Sequence, residues 1–314
     1  MSSIIPLDLN FQTIPESIAC YLLPHADGAA LVECGPSTTR PSLQAGLQAH
    51  GFSVEDVTDV FLTHIHLDHA GAAGWWARHG NHGRGATIHV HPNGAPHLVN
   101  PEKLIASATR IYGAQMETLW GEFLSVPVER LHTAQDGEAI AFGGRRIEVT
   151  DAPGHANHHF VYTCDGVCFT GDVGGVRVMA AAPHPAVRHV RLPTPPPEFH
   201  LETWRATLDK LEAQRAAGKF QRIAVTHFGI FDDAQEHLAA VQRKLSALEQ
   251  WMAVTLPANP ESEALRQQLA EWERQQAEAD GLPPALAREY ETANPIGMSA
   301  DGAARYWKKF RAGG

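Results

Sequence analysis

The sequence predicts an α/β protein of layered sheets covered by helices, with an added helical region toward its C-terminal side. Three observations carry that reading. Strand-length apolar runs alternate with helically spaced apolar residues in two successive rounds. Everything after about residue 233 is helical in pattern. A chain of 314 residues, 44% hydrophobic and 19% charged, can bury a large core.

Taken in order, residues 17–23 (SIACYLL) and 30–35 (ALVECG) are apolar runs of strand length that end in polar or glycine-containing turns. Residues 40–50 place Leu43 and Leu47 one helical turn apart, with Gly51 as a stop. Val57, Val60, Phe61 and Leu62 form a buried strand that runs into a short helix around Trp75 and Trp76. Residues 86–92 make another strand, and 101–121 read as one helix with Leu104, Ala108, Ile111, Tyr112, Met116 and Leu119 on its apolar stripe. From 138 the pattern is strands, turning at Gly143-Gly144 and then in a hairpin at Asp165-Gly166. The prolines of 193–197 form a stiff spacer before a helix that ends near Gly218, and 222–227 is a further buried strand. The tail then reads as two long helices and two short segments around Tyr290 and Tyr306-Trp307. Residues 1–232 are the expected catalytic domain and 233–314 a helical extension packed on it.

Composition narrows the function. With 35 acidic against 25 basic residues the formal net charge is −10, which argues against a nucleic-acid or anionic-membrane partner, since phosphate binding needs a basic face. Cys20, Cys34, Cys164 and Cys168 show no C-x-x-C spacing and read as reduced, buried thiols. No secretory signal and no membrane-length apolar run is visible, so the expected location is the cytoplasm. The expected partner is a small-molecule substrate, with a homodimer left open. Histidine is in excess, at 19 residues.

Position, not number, gives those histidines meaning. The buried strand ends in Thr63-His64-Ile65-His66-Leu67-Asp68-His69, an H-x-H-x-D-H segment. His64 and His66 point to one side of extended backbone, and Asp68 and His69 fall on the following turn. Four potential ligands within six residues can converge on metal, because neutral imidazole and carboxylate both suit zinc.

This segment resembles the signature of the metallo-β-lactamase superfamily of metallohydrolases. The family's remaining ligands have counterparts here in the expected order: His155 in the Pro153-Gly154-His155 loop, Asp172 after Gly171, and His227 at the end of the 222–227 strand. The resemblance covers roughly residues 17–230. It implies a four-layer αβ/βα sandwich of two mixed sheets flanked by helices. It also implies two divalent ions, zinc first and manganese or iron as alternatives. His64, His66 and His155 would hold one, Asp68, His69 and His227 the other, and Asp172 would bridge them. A hydroxide shared by the two ions would be the nucleophile, with Asp68 orienting it or relaying its proton. His159 aligns with a family histidine that packs beside the site. His158 replaces a small residue there, and Glu33 supports the site by hydrogen bonding. His89 and His91 are expected to be structural.

The substrate is less constrained. His69 directly after Asp68 departs from the lactamase branch with Arg at that place, and the acidic charge disfavours the nuclease branches. Hydroxyacylglutathione hydrolases and acyl-homoserine lactone lactonases stay comparable. The expectation is a hydrolase of an ester, thioester or lactone with a partly apolar substrate, contacted by Tyr112, Met116, Trp120 and His158. The tail turn at 294–299 could also reach the entrance. The alternatives are a mononuclear-iron oxidoreductase resembling persulfide dioxygenases, a phosphodiesterase, and a non-catalytic metal-binding protein.

Overall fold

A computed structural model describes residues 4–179 and 188–311. The first three residues, and the last three of the 233–314 region, therefore lie outside the described residues. Two six-stranded mixed sheets face each other. The first runs in chain order: β1 (Ile5–Asp8), β2 (Ala19–His25), β3 (Gly28–Val32), β4 (Val57–Phe61), β5 (Thr87–Val90) and β6 (Leu131–Thr133). Its first three strands pair antiparallel and the rest parallel. The second is β7 (Ala139–Phe142), β8 (Arg145–Asp151), β9 (Phe160–Cys164), β10 (Val167–Phe169), β11 (Arg222–Val225) and β12 (Gly229–Phe231), antiparallel except for β10 with β11.

Parallel neighbours need a crossover, and helices supply it. The helix α1 (Arg40–Ala49) joins β3 to β4, and α2 (Leu67–Ala70) and α3 (Ala73–His79) join β4 to β5. Between β5 and β6 lie α4 (Ala95–Val99), α5 (Glu102–Tyr112) and α6 (Met116–Trp120), and α7 (Leu201–Ala216) joins β10 to β11. Then follow α8 (Ala234–Thr255), α9 (Ser262–Ala279), α10 (Ala287–Ala293) and α11 (Ile296–Phe310).

The alternation of side chains along the strands makes four layers. On β2, Ala19, Tyr21 and Leu23 enter the core between the sheets, with Phe61, Ile147, Phe160 and Phe169. Cys20 and Leu22 point the other way, into a core with Leu43 and Leu47 of α1 and Trp76 of α3. On the far side Val161, Cys168, Ile223 and Val225 pack on Trp204 and Leu208 of α7 and on Val241, Leu245, Leu265, Ala300 and Tyr306 of the tail helices. The tail thus shares its core with the second sheet.

Several elements differ from the sequence reading. The 101–121 segment is broken at Gly113, whose φ of +53° no continuing helix adopts, so α5 and α6 are separate. Residues 296–299 are the first turn of the fifteen-residue α11, not a loop. The three-residue β12 was not anticipated. The hairpin turn is as read: Asp165 and Gly166 have φ of +48° and +75°, the signs of a type I′ turn. All four cysteines are free and buried. Among the described residues no helix is long and apolar enough to cross a membrane.

Candidate metal centre

The residues singled out at the strand ends meet at one end of the sandwich. His64 and His66 follow β4, His155 follows β8, Asp172 follows β10 and His227 follows β11. Two buried tyrosines of the intersheet core tie these ends together. Tyr162 of β9 donates to Leu62 O at 3.0 Å, and Tyr21 of β2 donates to Val225 O at 2.5 Å. Each bond fastens a strand of one sheet to the site end of the other. The loop bearing His155 lies against α7 only because Gly154 has no side chain. Its φ is +141°, and a Cβ there would stand 2.4 Å from Trp204 Cα. Trp204 Nε1 also donates to Val173 O at 2.9 Å, holding the turn beside Asp172.

Ligand-capable atoms form two groups, His64 with His66, His155 and Asp172, and Asp68 with His69 and His227, each within 4.8 Å. Nε2 of His64 and Nε2 of His155 lie 2.9 and 3.0 Å from Nδ1 of His66. Asp172 faces both groups. Its Oδ2 is 3.3 Å from His155 Nε2, and its Oδ1 is 3.3 and 3.4 Å from Nε2 of His69 and His227. Asp68 Oδ2 lies 3.6 and 3.5 Å from the same two nitrogens.

The outward nitrogens explain which atoms face inward. His155 Nδ1 donates to Pro193 O at 2.8 Å, and His227 Nδ1 donates to Ser17 O at 2.6 Å. His69 Nδ1 donates to Glu33 Oε1 at 3.0 Å. The hydroxyl of Thr63 donates to Glu33, so it accepts from His64 Nδ1 at 3.1 Å. Each of these four imidazoles therefore commits its outer proton and turns Nε2 inward. Nε2 of His69, Nε2 of His227 and Oδ1 of Asp172 are buried without a hydrogen-bond partner among the described residues. They lie within reach of one another but out of line for hydrogen bonds. Converging lone pairs and an orphaned carboxylate oxygen are a cation's complement, so the donor set fits divalent metal.

Electrostatics divides the centre. Burial, then the neighbouring imidazoles, holds His64 and His66 well below the usual histidine range, leaving them neutral. Burial alone would also depress His227, but Asp172 and Asp68 outweigh it and raise it to about 9. His69 is raised in the same way, by Asp68, Asp172 and Glu33 against burial. Burial would raise Asp172, and the histidines around it hold it well below the carboxylate range instead. His64 and His66 are thus neutral imidazoles, while His69 and His227 face Asp68 and Asp172, whose charges favour a cation there.

Around the centre, Asp172 N donates to His159 Nε2 at 3.2 Å, so His159 braces the backbone. Glu33 is fully buried and also accepts from Thr226 Oγ1 at 3.2 Å. His158 pairs with Glu198 at 3.5 Å and is depressed to about 4, chiefly by burial. His89 and His91 pair with Asp59 and Asp151 at 2.8 and 3.1 Å.

A cavity of about 350 Å³ opens over Asp68, Asp172 and His227. Tyr112, Trp120 and His158 line it, whereas Met116 does not: it packs into the core beneath α6. Walls that sequence reading did not name include Lys103 of α5 and, from afar, Phe11, Pro195 and Met298. Only the tail segment before Tyr306 had hinted at the last.

The profile of the metallo-beta-lactamase superfamily matches residues 13–217. A curated relative, the metallo-beta-lactamase fold-containing protein ST1585 of Sulfurisphaera tokodaii, is 26% identical over 185 residues, which are 57% of this chain and 66% of its own length. The crystal structure of ST1585, described as an archaeal metallo-beta-lactamase superfamily protein from Sulfolobus tokodaii, superposes with a TM-score of 0.59 at 18% identity, covering 79% of this chain and 86% of that one. The metallo-beta-lactamase family protein TTHA1429 from Thermus thermophilus gives a TM-score of 0.61 at 21% identity over 98% of this chain and 93% of its own. The family profile, the two facing sheets and the ordered His/Asp ligand groups agree: this chain belongs to the metallo-β-lactamase superfamily.

Proposed function

We propose that the protein is a metal-dependent hydrolase that cleaves an ester, thioester or lactone bond of a small, partly apolar substrate. In this reading His64, His66 and His155 hold one divalent ion, Asp68, His69 and His227 hold a second, and Asp172 bridges them. The observation that carries it is the shared carboxylate, which turns one oxygen to each group. Bound there, two divalent ions supply Lewis acidity and a nucleophile at neutral pH.

The chain's own groups do the rest. Asp68 is partly exposed toward the cavity and held ionised by His69 and His227, against the effect of burial. Its carboxylate accepts the proton of the attacking water and returns it to the leaving group. Tyr112 stays protonated, because burial and then the Asp68 charge push its phenol up, so it donates a hydrogen bond to the substrate. Leu104, Ile111, Leu119 and Met298 hold the apolar part and exclude water. That lining supports an acyl substrate over a phosphodiester.

Turnover by metal-replete protein of matched thioesters, esters, lactones and phosphodiesters tests the proposal. Expected is hydrolysis within the first three classes, with Asp68→Asn lowering kcat by about 10²-fold or more. Activity on phosphodiesters alone overturns it. One iron per chain with oxygen-dependent turnover of a persulfide establishes the oxidoreductase alternative instead.

A further inference from the structure

The metal centre accounts for the ionisable groups at one end of the cavity but not for Lys103. Helix α5 turns one face to the cavity, with Lys103, Leu104, Ser107, Ala108, Ile111 and Tyr112 recurring at three- and four-residue spacing. Lys103 is the single Lys or Arg side chain among the lining residues, and among the described residues it makes no ion pair. Glu198, the one lining carboxylate outside the ligand groups, is engaged elsewhere. It accepts from Asn157 N at 2.9 Å and pairs with His158. His97 of α4 lines the same cavity.

We infer that Lys103 is a specificity determinant that recognises a carboxylate on the substrate, remote from the bond that is cleaved. The inference rests on the hydrolase reading and names its substrate class: acyl compounds with a terminal carboxylate. Lys103 is exposed at the rim of that wall, so its pull on an anion is that of a solvated ammonium, modest and weakened by salt.

Helix α5 also sets the length. Tyr112, at the far end of that face, lines the cavity with Asp68, whose charge after burial pushes its phenol up, so its end of the helix is turned to the centre. Lys103 lies nine residues back, roughly 13 Å along the axis at 1.5 Å per residue. An extended chain spans about 1.2 Å per bond, so about eleven bonds cover that rise.

Two 4-nitrophenyl esters with acyl chains of that length, one ending in carboxylate and one in methyl, test this with metal-replete protein. The wild type is expected to favour the carboxylate ester by about fivefold in kcat/KM, chiefly through KM, and less so at high salt. Lys103→Gln brings the ratio to near one, and Lys103→Glu inverts it. A wild type with no preference, or a preference that survives Lys103→Gln, overturns the inference. Calorimetric binding of the free α,ω-diacid against the monoacid gives the same ratio without turnover. If neither ester is hydrolysed, the hydrolase reading fails, and the binding ratio still decides the role of Lys103.

Discussion

Glu33 sits at φ +67° with its carboxylate sealed from solvent, a conformation tolerated because four donors converge on it. Thr63 gives two, through its hydroxyl and its amide, His69 a third and Thr226 the fourth. These partners belong to the segments that carry His64, His69 and His227, so one carboxylate positions three histidines of the cluster. Glu33→Gln keeps the size but presents an amide N–H to one of these donors. We expect metal affinity, measured by competition with a chromophoric chelator, to fall about 10- to 100-fold. Unchanged affinity would show that the imidazoles are oriented without Glu33. That these residues cluster was legible in sequence, because H-x-H-x-D-H is local and the other three follow strand ends. The orienting groups were not. The Pro193 and Ser17 carbonyls that hold His155 and His227 carry no side-chain signature.

At the scale of elements, local periodicity found most strands and helices and failed where tertiary contact decides. Gly113 ends α5 with a positive φ that an apolar stripe does not reveal. The 193–197 spacer is a cavity wall, and it holds that place because α11 presses on it backbone to backbone. A Cβ on Gly302 would stand 1.8 Å from Thr194 O, whereas one on Gly297, in the same helix, would meet only the Arg266 side chain at 3.6 Å. Gly302→Ala should therefore push α11 off the spacer. We expect a loss of about 1–3 kcal/mol in denaturant unfolding and a raised KM, since the spacer carries both Pro193 and cavity-lining prolines. Gly297→Ala should be neutral or slightly stabilising. Equal behaviour of the two variants would contradict the close approach.

At the scale of the molecule, the tail helices seal the second sheet through a buried polar link as well as an apolar core. His237 of α8 donates to Gly174 O at 2.7 Å and takes Arg177 Nη1 against its other nitrogen at 3.3 Å, so it is held neutral. Burial, then the Arg177 charge, lowers it to about 4 from an ordinary 6.5. The unfolded chain thus binds the proton first. The contribution is complete above pH 6.5 and is lost as pH falls toward 4, roughly 3 kcal/mol in all. Metal-free His237→Gln should accordingly lose less stability than the metal-free wild type across that window, and parallel curves would refute the assignment.

The fold class was legible because the central strands, such as β2, β3, β9 and β11, are largely buried and read as apolar runs, while the four-layer form followed from the family resemblance. The reach of the tail was legible only as a turn at 294–299 near the entrance, where Asn294, Pro295 and Met298 line the cavity. In the proposed centre, the Asp172 carboxylate joins the two groups into a single two-ion site. Native mass spectrometry of the metal-replete protein beside its Asp172→Asn variant tests it most directly. Two divalent ions per chain are expected in the wild type, and weakened binding of both in the variant. One ion per chain, or a variant that keeps both at unchanged affinity, would contradict it.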